Sequence, residues 1–193
     1  MKIILITISF FGLSFSSFHP LDGQSLNYTQ IFFKWPQIIG SDAYEIKIFS
    51  NNSGGSEVSS FISPFNSFIL EDGLDWGTSY SWQVCGLGDT SSQDCYINNF
   101  EINPLPVHHA DYIVIHQLDD QNYHPGINIL DFESIGYAVA VNKYGEVVWF
   151  ADKYNFSYGI ISVEVQENGN FTGFSYGAGY EFSIDSEVVF ETP

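Results

Sequence analysis

Much of the chain consists of short runs in which apolar and polar residues alternate, and this pattern limits what it can fold into. In "AYEIKIFS", Tyr44, Ile46 and Ile48 alternate with Glu45 and Lys47. Successive side chains of a strand point to opposite faces, so this run predicts a strand with one buried and one solvated face. Similar runs follow between turn residues, and they lack sustained helical periodicity. The sequence therefore predicts an all-β protein.

The composition is that of a folded and strongly acidic chain. Of the 193 residues, 45% are hydrophobic and 18% are aromatic, which argues against disorder. Five lysines and no arginine stand against 23 Asp and Glu, giving a net charge of −18. Such a surface repels phosphate backbones and anionic lipids, so we exclude nucleic acid and expect no membrane contact beyond a signal peptide. The lack of arginine also removes the side chain that best grips sulfate.

The first residues have the features of a secretory signal peptide. A cation at Lys2 precedes an apolar run that ends at Leu13, and the small residues Ser14 and Ser16 follow. A membrane anchor is the alternative, but it needs about 20 apolar residues. We therefore assign residues 1–16 to a signal peptide and expect a secreted or periplasmic protein.

Cys85 and Cys95 are the only two cysteines of the chain. Export to an oxidising compartment favours a structural disulfide between them. Two alternatives remain: a redox pair, which usually has Cys-x-x-Cys spacing, and a zinc site, which needs more ligands nearby.

About seven short strands are predicted before residue 104, with turns every 8 to 12 residues, as in a two-sheet β-sandwich. "FFKWPQIIGSDAYEIKI" resembles the second and third strands of a fibronectin type III domain, with Trp35 as the core tryptophan. "LDWGTSYSWQV" resembles the tyrosine corner of that family, with Tyr80 as its tyrosine. Trp76 replaces the usual proline. In this frame, Cys85 ends the sixth strand and Cys95 begins the seventh.

The sequence changes character after "NPLPVHH", a Pro-rich linker. "KYGE" and "ENGN" are hairpin signals, and "EVVW" at 146–149 recurs as "EVVF" at 187–190, an offset of 41. A period of about 40 to 45 residues with four strands is typical of a β-propeller blade. Chance similarity between β-rich segments is the alternative.

The segments "HPGINILDF", "YAVAVNKYGEVVWFAD", "ISVEVQENGNFTGFSYG" and "FSIDSEVVFETP" resemble the opening of an arylsulfotransferase propeller. The resemblance implies nucleotide-independent transfer of a sulfuryl group from a phenolic sulfate to a phenol through a histidine nucleophile. In the family, the catalytic residues come from later blades, so no catalytic residue is assigned in this chain and no cofactor is expected. "SIDSEVVF" lacks the glycine of "NKYGEVVW", which predicts a shorter or differently shaped turn.

The predicted fold is thus all-β, with a fibronectin type III-like β-sandwich followed by the first one to two blades of an incomplete β-propeller. We expect an inactive N-terminal fragment of a secreted aryl-sulfate sulfotransferase, with a homodimer as a further expectation. The alternative is a complete, non-catalytic binding or adhesion protein that binds carbohydrate. The predicted segments are 1–16 (signal peptide), 17–103 (sandwich), 104–122 (linker and first strand) and 123–193 (start of the propeller).

The histidine spacings match no familiar metal-ligand pattern, so we predict no metal site and assign these residues to the surface or to packing. The oxygen-rich segment "LDDQN", at 118–122, could be a calcium loop, but a solvated turn is the better interpretation because only two carboxylates cluster there. The five histidines are His19, His108, His109, His116 and His124.

Overall fold

A computed structural model gives the structure of the chain. It describes residues 18–51, 54–88, 95–106, 126–132, 137–152, 155–156, 159–175 and 177–192. These ranges hold fourteen strands and no α-helix, which confirms the predicted all-β class. The strands are β1 (Gln24–Leu26), β2 (Ile31–Lys34), β3 (Ala43–Ser50), β4 (Ser56–Ser63), β5 (Ser67–Leu70), β6 (Ser79–Leu87), β7 (Cys95–Ile102), β8 (Asn128–Phe132), β9 (Tyr137–Val141), β10 (Val147–Phe150), β11 (Ile161–Val165), β12 (Phe171–Ser175), β13 (Ala178–Phe182) and β14 (Val188–Glu191).

The first seven strands form a sandwich-like unit of two sheets. One sheet has the order β1-β7-β6-β3-β4, with β1 parallel to β7, and the other pairs β2 with β5. The predicted alternation is confirmed, because Tyr44, Ile46 and Ile48 are at most 2% exposed. Phe33 of the smaller sheet packs edge-on against Trp82 of the larger one, with ring centroids 5.2 Å apart. Aromatic rings therefore fill the space between the sheets.

Tyr80 fixes the chain where it enters β6. Its ring is buried and stacks on Phe100, with centroids 5.4 Å apart. Its hydroxyl oxygen accepts a hydrogen bond from the backbone N–H of Asp75 at 2.8 Å. This arrangement ties the strand to the preceding loop, as expected for a tyrosine corner.

Cys85 and Cys95 lie opposite each other at one end of the β6–β7 hairpin and form a disulfide, with their Cα atoms 4.2 Å apart. The connecting residues 89–94 lie outside the described ranges. The covalent bond joins the two strands where their pairing begins.

The remaining strands form two antiparallel sheets. The first meander consists of β8, β9 and β10, and the second meander consists of β11 to β14 in sequential order. Both meanders contribute to the buried cluster that includes Trp35 and Trp82 of the sandwich. One continuous apolar core thus spans the segments that sequence analysis treats as separate domains.

The two meanders repeat each other residue by residue over their last two strands. In the first, Val141 pairs with Val147 and Ala140 pairs with Trp149, so the register skips Val148. The second meander skips the equivalent residue, 41 positions later. Its pairs are Phe182 with Val188, and Glu181 with Phe190, leaving Val189 unpaired. Identical register and an identical bulge show that the sequence echo is a structural repeat.

The hairpin turns between these strands are also the same, so the predicted difference in turn length or shape is wrong. The N–H of Asn142 donates to the carbonyl of Glu146 at 3.0 Å, and Ser183 donates to Glu187 at 2.9 Å. Gly145 has a φ of 80°, and its counterpart Ser186 has a φ of 63°. A left-handed serine therefore replaces the glycine without altering the turn.

Candidate functional site

The sandwich joins the first meander by extending its sheet. Tyr28 and Trp149 form an antiparallel bridge. The N–H of Thr29 donates to the carbonyl of Val148 at 3.0 Å, and the N–H of Phe150 donates to the carbonyl of Asn27 at 3.0 Å. The segment 27–29 therefore covers the outer edge of β10 and satisfies its backbone groups.

Trp76 makes a second connection between the two parts. Its indole N–H donates to the carbonyl of Val147 at 3.3 Å, and its ring centroid lies 5.5 Å from that of Phe150. Trp76 packs on a buried cluster of the first meander, formed by Val139, Val141, Val147 and Phe150. Trp76, which stands where the fibronectin type III pattern has a proline, thus contacts the first meander.

A cavity of about 470 Å³ lies beside this junction. Three of its side chains, Glu71, Asp72 and Glu146, carry carboxylates, and Asn142 donates through Nδ2 to Oε2 of Glu146 at 2.7 Å. Such a lining suits neutral hydroxyl groups or a cation and repels anions such as sulfate. The cavity is lined by Thr29, Glu71, Asp72, Gly73, Leu74, Trp76, Leu105, Asn142, Gly145, Glu146, Val147 and Val148.

The turn at residues 183–187 of the second meander makes polar contacts with the end of the first meander. The carbonyl of Ile184 accepts the indole N–H of Trp149 at 2.7 Å. The hydroxyl of Ser186, which is fully buried, accepts the N–H of Asp152 at 3.0 Å. This turn therefore anchors the second meander to the first.

Asp185, in the same turn, contacts the sandwich. Gln24 donates through Nε2 to its Oδ2 at 3.1 Å. Burial raises the pKa of Asp185, and repulsion from Glu187 adds to the rise, whereas the hydrogen bond from Gln24 opposes it. Burial and the neighbouring Asp185 raise the pKa of Tyr28 in turn. A carboxyl group is thus held where its charged form is disfavoured.

Most of the histidines considered in the sequence lie outside the described residues, as does the segment 118–122: these are His108, His109, His116 and His124. His19 is described, and its backbone pairs with that of Lys34. Burial, and then the charge of Lys34, lower the pKa of His19. Among the described residues, no group of three or more His, Cys, Asp and Glu is placed to hold a metal ion. In the same ranges, no helix has the length and apolar character that crossing a membrane requires.

Asp185 and Ser186 are contact residues that the sequence motifs did not predict. The signal was present, because "SIDSE" has the same length as "NKYGE" and occupies the equivalent position 41 residues later. The missing glycine predicted a different turn, whereas the equal spacing indicated the same one.

These contacts define an all-β protein whose sandwich-like unit and two meanders share one core. The chain matches no protein-family model, and no curated protein matches it.

Proposed function

We propose that this chain forms the fibronectin type III-like sandwich and the first blades of an arylsulfotransferase-type β-propeller, in a secreted or periplasmic protein. The observation that carries this proposal is the repeat of register, bulge and turn between the two meanders at an offset of 41 residues. A repeat of that length matches a propeller blade.

The sandwich has a structural role in this proposal. Its segment 27–29 covers the edge of β10, and Trp76 packs against side chains of the same strand. An uncovered strand edge can pair with other chains, so a covered edge keeps the first blade from aggregating. The sandwich would therefore act as an N-terminal cap for the ring.

The sulfuryl-transfer chemistry belongs to the whole enzyme and not to this chain alone. A histidine would attack the sulfur of a phenolic sulfate, the phenolate would leave, and a phenol acceptor would then take the sulfuryl group from the histidine. Cationic or hydrogen-bonding groups must hold the three sulfate oxygens as negative charge shifts to the leaving phenolate. The chain has no arginine, and its described cavity is lined by carboxylates. We therefore assign no catalytic role to this cavity.

A transfer assay tests this function. The 193-residue chain is incubated with 4-nitrophenyl sulfate and a phenol acceptor, and the polypeptide encoded by the complete reading frame is assayed in parallel. We expect transfer only by the complete polypeptide. Transfer by the 193-residue chain would contradict the proposal, and so would a stop codon directly after Pro193.

The cavity beside Trp76 favours a second candidate function, which is carbohydrate binding. An aromatic ring next to carboxylates and an amide can hold a sugar by stacking and hydrogen bonding. Titration with neutral oligosaccharides, followed by tryptophan fluorescence, tests it. Binding that is lost in a Glu71→Gln/Asp72→Asn variant would support this function, and equal binding by the variant would contradict it.

A further inference from the structure

The second meander covers one face of the first. This face, here called the outer face, carries Ala140 and Trp149. The ring of Trp149 is 4% exposed and stacks on Phe171, with centroids 4.7 Å apart and 8° between the ring planes. Phe171 also stacks on Phe182, with centroids 5.6 Å apart. Aromatic side chains of the second meander therefore bury the outer face of the first.

The outer face of the second meander is the equivalent surface 41 residues later, and it is open. Glu181 and Phe190 take the places of Ala140 and Trp149. Phe190 is 57% exposed, and Phe174, which lies on the same face, is 61% exposed. Every residue of β14 is exposed, whereas every residue of β10 is buried.

We propose that this open face binds a third β-meander of the same repeat, seated on the second as the second is seated on the first. The partner would present an aromatic pair equivalent to Phe171 and Phe182, and this pair would cover Phe190. The inference rests on the propeller part of the proposed function and is independent of sulfuryl transfer.

The contact between the two meanders supports this choice of partner over a second copy of the chain. In a second copy, the opposite face of the second meander, which carries Phe171 and Phe182, is already buried. Only the two outer faces could then meet, which would bring Glu181 near its own equivalent. With a net charge of −18 on each copy, this pairing is electrostatically unfavourable.

Glu181 also adds specificity to the face. Its Oε1 accepts hydrogen bonds from the side-chain amides of Asn170 at 2.6 Å and Asn168 at 3.0 Å. These bonds fix the carboxylate on the face that also carries the exposed rings of Phe174 and Phe190. A partner that places an amide or a lysine opposite Glu181 would bind better than a wholly apolar one, because a buried carboxylate needs compensation.

A lengthened chain tests the proposal. Since Ala151 and Thr192 are equivalent, a copy of residues 152–192 placed directly after Thr192 continues the repeat in register. The substitution Phe190→Trp places a fluorescent reporter at the position equivalent to Trp149. In the original chain we expect acrylamide to quench the indole introduced at position 190 readily. In the lengthened chain we expect that quenching to be lost and the emission of the reporter to shift to shorter wavelength.

Phe65→Trp is the matched control, because Phe65 is 71% exposed and lies on the sandwich. Its quenching should be the same in both chains. A second lengthened chain also carries Glu181→Ala, which replaces the carboxylate of the open face by the residue found at the equivalent position 140. The proposal would be overturned if acrylamide quenched the reporter at position 190 equally in the original chain and in this lengthened chain when it is folded. Concentration-dependent protection of the reporter in the original chain would overturn it too, since that result identifies a second copy as the partner. Absence of transfer in the sulfuryl-transfer assay would contradict the proposed enzyme activity but would not change the quenching result at position 190.

Discussion

Trp149 and Phe171 lie face to face, with ring centroids 4.7 Å apart and only 8° between the ring planes. The indole N–H of Trp149 also donates to the carbonyl of Ile184 at 2.7 Å. One side chain therefore joins the two meanders both by stacking and by a hydrogen bond.

Replacing Trp149 should weaken this junction in two separable steps. Trp149→Phe retains an aromatic ring but leaves the Ile184 carbonyl without its donor, and we expect a loss of about 1–2 kcal/mol in the free energy of unfolding. Trp149→Ala also removes the ring and should cost about 3–5 kcal/mol. Urea unfolding measures both. Phe190→Ala, at the exposed equivalent position, is the control and should change stability by less than about 1 kcal/mol.

Ser186 should reveal the cost of its left-handed conformation. Ser186→Ala removes the hydroxyl that accepts the Asp152 N–H and retains the strain, so we expect a loss of about 1–3 kcal/mol. Ser186→Gly loses the same hydrogen bond but tolerates a positive φ, so it should be more stable than the alanine variant by about 1 kcal/mol. Thermal unfolding of the two variants compares them directly. An alanine variant as stable as the glycine variant would show that the turn carries no strain at this residue.

Asp185 should make the protein less stable as the pH rises. Its pKa is raised in the folded state, so the folded protein binds more protons than the unfolded chain above the ordinary pKa of an aspartate, about 3.9. The contribution of this group is fully present below that pH and is lost as the pH rises through the folded pKa.

Asp185→Asn tests this because an asparagine side chain keeps an acceptor for Gln24 and cannot become charged. We expect the stability of the variant, relative to the parent, to increase as the pH rises from about 4 to 7. Urea midpoints across this range provide the measurement. A difference that is constant with pH would contradict the assignment.

Tyr80→Phe removes the hydroxyl that accepts the Asp75 N–H and leaves the buried ring in place. We expect a loss of about 1–2 kcal/mol in the free energy of unfolding, because the N–H loses its partner. Tyr96→Phe is a suitable control, since Tyr96 is 44% exposed, and it should be close to neutral. Comparable losses in the two variants would rule out a special role for the Tyr80 hydroxyl.

The Cys85–Cys95 disulfide predicts that the oxidised, denatured chain contains no free thiol. Because the cysteines are 10 positions apart, reduction should lower stability by about 3 kcal/mol. Thiol titration before and after reduction, combined with thermal unfolding, measures both effects. Two free thiols in the unreduced chain would contradict the pairing.

The strands could be predicted because their signal is local. Tyr44, Ile46 and Ile48 alternate with polar residues, and the buried face follows from that spacing alone. The 41-residue repeat could also be recognised in the sequence, because "EVVW" and "EVVF" occupy equivalent positions of two sheets. The turn at Ser186 was mispredicted because the glycine rule omits the hydrogen bonds that hold a serine in the left-handed region.

The sequence by itself determined the all-β class, the buried faces of the sandwich strands and the period of the repeat, because these depend on neighbouring residues and on strand geometry. Only the tertiary structure decided that Trp76 joins the sandwich to the first meander, that Asp185 lies half-buried near Tyr28, and that Trp149 is covered while Phe190 is open. These relationships join segments far apart in the chain. No local periodicity encodes them, because they depend on which surfaces meet when the sheets pack together.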